Sequence, residues 1–127
     1  MEQANPQPMN EPAFALAPAL DRLEGDQALL LELLDIFVQT YAGYLDGIAR
    51  AIAAGDTRQA GHEAHSLKGS ALSVGAERMA TLAKALEQAG AAGELARMPV
   101  LLDQLRAAGT EFVDVQSGWR DSLSSAR

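Results

Sequence analysis

Three features of this 127-residue sequence predict an all-α protein, an antiparallel up-and-down four-helix bundle with one short additional helix at its N-terminal end. The composition favours helix: 25 residues are Ala and 18 are Leu, whereas the β-favouring Val, Ile and Thr together number 12. Apolar residues recur at three- and four-residue spacings, and no period-two alternation is long enough to make a strand. Short Gly-containing connections separate the periodic segments, so consecutive helices must turn back on one another. The length suits one domain with one core.

Residues 1–12 hold Pro6, Pro8 and Pro12 and no apolar period, and are expected to be a flexible leader to a bundle spanning 13–123, with 124–127 as a tail. Pro18 can open a short helix that ends at Gly25 and turns Leu20 and Leu23 inward. Asp26 is the expected N-cap of a long segment to about Ala54, with Leu30, Leu33, Phe37, Tyr41, Tyr44, Ile48 and Ile52 inward. Gly43 and Gly47 are candidates to bend or divide that segment. Gly55-Asp56 reads as a stop followed by the next cap, opening a helix from about Thr57 to Val74. Its inward line is Ala60, Ala64, Leu67, Ala71 and Val74, narrow and mostly small, which lets neighbours approach closely. Gly75 stops it. A further helix follows from about Ala76 to Ala89 with Met79, Leu82 and Leu86 inward, and Gly90 and Gly93 are expected to break it. The last helix should begin between Glu94 and Pro99, since Pro fits a first turn. Its inward series is Met98, Leu102, Leu105, Gly109, Phe112, Gln116, Trp119 and Leu123.

Composition removes several function classes. Seventeen acids against ten bases give a net charge of -7 with no basic block, which disfavours a broad nucleic-acid or anionic-membrane surface. With no cysteine there is no disulfide framework, thiolate metal site or cysteine nucleophile, a composition that fits a reducing cytoplasm. The apolar run at 29–34, interrupted by Glu32, is too short to cross a bilayer, and the start of the chain does not read as a signal peptide. The expectation is a cytoplasmic monomer without membrane contact.

Both histidines, His62 and His65, fall on the helix of small inward residues. At about 100° per residue, the centre of the buried line lies roughly 140° from His65, which therefore faces solvent. Arg58, Gly61, His62, Lys68, Gly69 and Leu72 share that face, with Lys68 and Gly69 one turn beyond His65. Free imidazole titrates at a pKa of about 6.5, so near neutrality much of it offers a lone pair as a nucleophile. A phosphoryl group on it would carry close to two negative charges, which Lys68 could offset as a point cation. Gly69 leaves room for such a group at a helix cost of about 1 kcal/mol relative to Ala. Taken alone, a surface histidine beside a lysine is an ordinary solvated face.

The run Ala64-His65-Ser66-Leu67-Lys68-Gly69-Ser70-Ala71-Leu72-Ser73-Val74-Gly75-Ala76 resembles the signature of histidine phosphotransfer (HPt) domains: His, any residue, Leu, Lys, Gly, five residues, then a small residue. The resemblance runs from about Leu20 to about Leu123, including the turns at Gly25-Asp26 and Gly55-Asp56 and the Ala85-Leu86-Glu87 segment. It implies that His65 is the phosphoacceptor, Lys68 its electrostatic partner and Gly69 the point of access. Glu87 falls where such domains present a polar side chain near the histidine. His62, Arg58 and Leu72 are then expected partner contacts, Leu72 lying within about 20° of His65 in projection. The implied function is a phosphorelay carrier, accepting a phosphoryl group from a receiver-domain phosphoaspartate and passing it to another receiver aspartate. Its implied partners are response-regulator receivers, a hybrid sensor histidine kinase or both, and the sequence reads equally as a free-standing carrier or as the cytoplasmic module of a membrane-bound hybrid kinase. Mg2+ is expected on the receiver and no cofactor on this chain. Lacking a Gly-rich nucleotide loop and a kinase-like residue set, the chain is expected to be a phosphocarrier without ATP-dependent activity.

Three other readings fit parts of the sequence. His62-Glu63-Ala64-His65 superficially matches a zinc metalloprotease motif, but its histidines stand at i and i+3, not i and i+4, and the chain has no third. A docking bundle that controls a partner by binding, without phosphotransfer, is the main alternative, although both the histidine and the lysine are present. The phosphoacceptor domain of a chemotaxis-type kinase would be followed by a catalytic domain, which these 127 residues do not contain.

Overall fold

The computed structural model describes residues 10–125. Its helices are α1 (Leu16–Arg22), α2 (Gln27–Ala53), α3 (Thr57–Ser73), α4 (Glu77–Ala92) and α5 (Met98–Ser125), with a 3-10 turn at Leu95–Arg97 leading into the last. No strand occurs among the described residues. Helix α2 packs on α3, α3 on α4, α4 on α5 and α5 back on α2, which closes the bundle, while α1 lies against α2 and α3. Asp26 and Asp56 cap as expected, their carboxylates accepting from the backbone N–H groups of Leu29 and Gln59 at 3.0 Å each.

Most of the inward positions predicted from periodicity are buried. Ala60, Ala64, Leu67 and Ala71 of α3 are completely enclosed and Val74 nearly so, as are Met79, Leu82 and Leu86 on α4. On α5, Met98, Leu102, Leu105, Gly109, Phe112 and Gln116 are buried. The amide of Gln116 is satisfied, donating to the Val113 carbonyl at 3.1 Å and to Ser117 Oγ at 3.2 Å. Leu20, Leu23, Leu33, Tyr41, Tyr44, Ile52 and Trp119 are only partly buried and pack around the core rather than within it. Leu34, Leu45 and Ala51 fill the centre of α2 beside Leu30, Phe37 and Ile48. Helix α2 touches both α3 and α5, so its buried arc is wider than one 4-3 line.

The element boundaries correct several expectations. Helix α1 begins at Leu16, two residues before Pro18, which sits within its first turn. Helix α2 is undivided: a Cβ at Gly43 would meet nothing within 4 Å, and Gly47 lies under the Glu63 carboxylate. Its length and its mean hydropathy, 1.3 over the most apolar window, would suit a membrane span, but Leu30, Leu34, Phe37, Leu45 and Ile48 all enter the bundle core. Helix α4 passes through Gly90 and ends at Gly93, whose φ of 69° is left-handed. Residues 1–9 of the expected leader lie outside the described residues. Its later carbonyls, at Glu11 and Pro12, accept from Arg78 Nε at 3.1 Å and Arg78 N at 3.2 Å. The expected tail begins inside α5, and 126–127 lie outside the described residues.

One end of the bundle is closed by aromatic rings. Phe112 takes Phe14 and Phe37 edge-on at centroid separations of 5.6 and 5.3 Å, and Phe14 also packs on Trp119 at 5.6 Å. At the α3–α4 turn, Gly75 is left-handed at φ 76°, its carbonyl accepts from Ala15 N at 2.7 Å, and an added Cβ would come within 2.5 Å of the Ala15 carbonyl oxygen. That contact ties the segment entering α1 to the foot of the helix that carries both histidines.

Candidate functional site

Burial of Ala60, Ala64, Leu67 and Ala71 fixes the rotation of α3, and the opposite line of Arg58, His62, His65, Gly69 and Leu72 is left exposed. The His65 side chain is 66% exposed. Gly61, expected on this face, is instead buried against α4. The reason is close approach: a Cβ on Gly90 would lie 2.7 Å from the Thr57 carbonyl oxygen and 2.9 Å from Gly61 Cα, so only glycine lets the two backbones meet there.

This proximity brings a carboxylate from α4 between two groups of α3. Glu87 Oε2 lies 2.8 Å from His65 Nδ1, and Glu87 Oε1 accepts from Lys68 Nζ at 2.7 Å. The Lys68 ammonium, the desolvation that partly opposes it, and the His65 ring together hold the Glu87 carboxyl below the usual glutamate value of 4.5, with Lys68 the largest influence. At neutral pH this carboxylate can only accept, so in the neutral imidazole Nδ1 carries the proton and Nε2 keeps the lone pair. The side chains of Lys68 and Glu87 are 26% and 32% exposed, enough shelter to hold a geometry without leaving an unpaired charge buried. A Cβ at Gly69 would meet nothing within 4 Å, so the space above it is open.

Beside the histidine, on the side away from Lys68, a cleft of about 660 Å³ is lined by Arg58, Gly61, His62, His65 and Ser66 of α3 and by Glu87, Gly90 and Ala91 of α4. The structure thus gathers His65, Lys68 and Glu87 into one bonded group, with Arg58 and His62 on the adjoining cleft. Leu72 stands apart from the cleft at 37% exposure, and its carbonyl accepts from Arg22 of α1 at 2.6 Å. Sequence reasoning missed Gly90, which it took for a helix break. The continuation of helix-forming residues to Ala92, ahead of Gly93, was the available signal.

A surface imidazole held by a carboxylate, with an ammonium beside it and open space one turn on, has the chemistry needed to take up a phosphoryl group on a helical bundle. The family profile described as Hpt domain matches residues 32–114. In its fold the chain is similar to the crystal structure of histidine-containing phosphotransfer protein B (HptB) from Pseudomonas aeruginosa PAO1, with 29% identity and a TM-score of 0.79 over 87% of this chain and 96% of that one. No curated relative matches the chain. The chain belongs to the Hpt domain family and is a histidine phosphotransfer carrier of two-component phosphorelays.

Proposed function

We propose that His65 is the phosphoacceptor, that its nucleophilic atom is Nε2, and that Lys68 and Glu87 prepare it. The observation carrying this reading is the Glu87 carboxylate bridging His65 Nδ1 at 2.8 Å and Lys68 Nζ at 2.7 Å. The Nε2 lone pair attacks the phosphorus of a receiver aspartyl phosphate. An N–P bond forms as the P–O bond to the aspartate breaks, and the carboxylate leaves with the electron pair. The ring, now positively charged, keeps its proton on Nδ1, hydrogen-bonded to the Glu87 carboxylate. In onward transfer an acceptor aspartate attacks phosphorus and the electron pair returns to Nε2. Such a transition state is loose and in line, so positioning and charge account for most of the acceleration.

Lys68 is placed to exchange its bond with Glu87 for one with the arriving phosphoryl oxygens, and Glu87 is a positioning residue rather than a reacting one. Gly69 provides the opening through which the phosphoryl group and the receiver enter, and Leu72 is an apolar contact at the edge of that approach. Mg2+ belongs to the receiver, where its charge offsets that of the phosphoryl group. The carrier acts as a cytoplasmic monomer and takes its phosphoryl group from proteins, not from ATP.

The test is transfer from a phosphorylated receiver domain in the presence of Mg2+. Wild type should acquire acid-labile, alkali-stable phosphate, folded His65→Gln should acquire none, and Lys68→Ala should be slower by roughly 10²-fold, the usual scale for losing one charge-stabilising donor. Labelling that persists in His65→Gln would overturn the assignment.

A further inference from the structure

We propose that Arg58 and His62 form an anion-accepting subsite that takes acidic side chains of the receiver domain into the cleft beside His65. This inference rests on His65 being the acceptor, since it assigns the occupant of the space next to it. The cleft exists because its two walls differ. Helix α3 contributes Arg58, His62 and Ser66, while the α4 wall beyond Glu87 is only Gly90 and Ala91. Glycine at 90 is required by the backbone crossing with Gly61, so the absence of side chains there is a consequence of packing.

The charges select the occupant. Both carboxylate oxygens of Glu87, the one acid lining the cleft, are engaged by His65 and Lys68. Among the described residues neither Arg58 nor His62 has a hydrogen-bond or ion-pair partner; Arg22, Lys68, Arg78, Arg97 and Arg120 pair with acids, and Arg50, Lys84 and Arg106, also unpaired, do not line the cleft. The distribution over the whole chain points the same way. The segment 57–92, which contains α3 and α4, carries four bases and three acids, whereas the rest carries six bases and fourteen acids. An acidic partner is therefore repelled from most of the surface and admitted at this face, which sets its orientation as well as its rate of encounter. Arg58 presents a fork suited to a carboxylate, and His62 stands one turn along α3 toward the acceptor. The contact lies on the opposite side of His65 from Lys68, so it holds the receiver without competing for the cation that the phosphoryl group needs.

The experiment compares two phosphoryl donors on the full chain. One is a phosphorylated receiver domain from the same genome with Mg2+; the other is potassium phosphoramidate, which phosphorylates imidazole without docking. In the double variant Arg58→Ala, His62→Ala, KM for the phosphorylated receiver should rise about tenfold with kcat within about twofold, as expected for two lost charge contacts at an interface rim. The rise should shrink as salt is added. Labelling of His65 by phosphoramidate, resolved from His62 by peptide mass spectrometry, should be unchanged. A receiver KM unaltered in the double variant would overturn the subsite, as would an equal fall in His65 labelling by both donors, because that pattern places the residues in the chemistry. His65→Gln run alongside tests the acceptor separately: label surviving there from the phosphorylated receiver fails the acceptor assignment itself.

Discussion

The α3–α4 half of the bundle and the α2–α5 half are packed by different means. Helices α2 and α5 are 27 and 28 residues long and meet through large side chains, with Phe37 and Phe112 edge-on and the Tyr41 ring over Gly109. Helices α3 and α4 are 17 and 16 residues long, bury mostly small side chains such as Ala60, Ala64 and Ala83, and meet at the Gly61–Gly90 crossing. Large rings bury more apolar area and should dominate stability. Small residues bury less, but they bring two backbones close enough for a short carboxylate on one helix to bond both a histidine and a lysine on the other. One half therefore holds the molecule together, and the other sets the geometry of the site.

The sharpest way to break this contrast is to damage each half separately. Phe112→Ala should cost about 3–5 kcal/mol in chemical denaturation while leaving the transfer rate of the folded fraction within about threefold. Gly90→Ala, which adds a single carbon, should cost about 1–3 kcal/mol by overpacking. It should lower transfer by more than Phe112→Ala does, because the added Cβ forces α4 away from α3 and Glu87 with it. Equal losses of transfer in the two variants would remove the division of labour.

Gly69→Ala sharpens the comparison from the other side. Nothing lies within 4 Å of its would-be Cβ, so the variant should gain roughly 0.5–1 kcal/mol of stability from helix propensity while transfer from a receiver slows. A slower transfer without a gain in stability would mean that Gly69 serves packing and not access. The smallest effect is the one on pH. The Glu87 carboxyl titrates below its ordinary value because of Lys68, so its pairing stabilises the fold fully above the usual glutamate range and the contribution is lost as pH falls through the lowered value. The melting-temperature difference between wild type and Glu87→Gln should therefore shrink between about pH 6 and pH 3; a difference independent of pH would deny the ion pair its role.

The sequence was most informative where one helix faces one buried line. The 4-3 spacing of Ala60, Ala64, Leu67, Ala71 and Val74 was sufficient to turn His65 outward, and the aspartate caps and left-handed glycines marked most of the ends. It was least informative where the structure depends on contact between distant segments. Leu34 and Leu45 displace Leu33 and Tyr44 from the centre because α2 is covered on two sides, which no single-helix period reveals. Gly90 looked like a break because its partner, Gly61, lies 29 positions earlier on another helix. Glu87 could be placed beside His65 only through family resemblance, since periodicity says nothing about which α4 residue stands opposite a given α3 residue.

The central claim, that Glu87 holds the proton at His65 Nδ1 and so directs the phosphoryl group to Nε2, is tested most directly by long-range 1H–15N correlation on the 15N-labelled protein before and after phosphorylation. The neutral ring of the free protein should be the Nδ1–H tautomer, and phosphorylation should give a single phosphohistidine, at position 65, with phosphorus on Nε2. An Nε2–H tautomer in the free protein, or phosphorus on Nδ1, would contradict it.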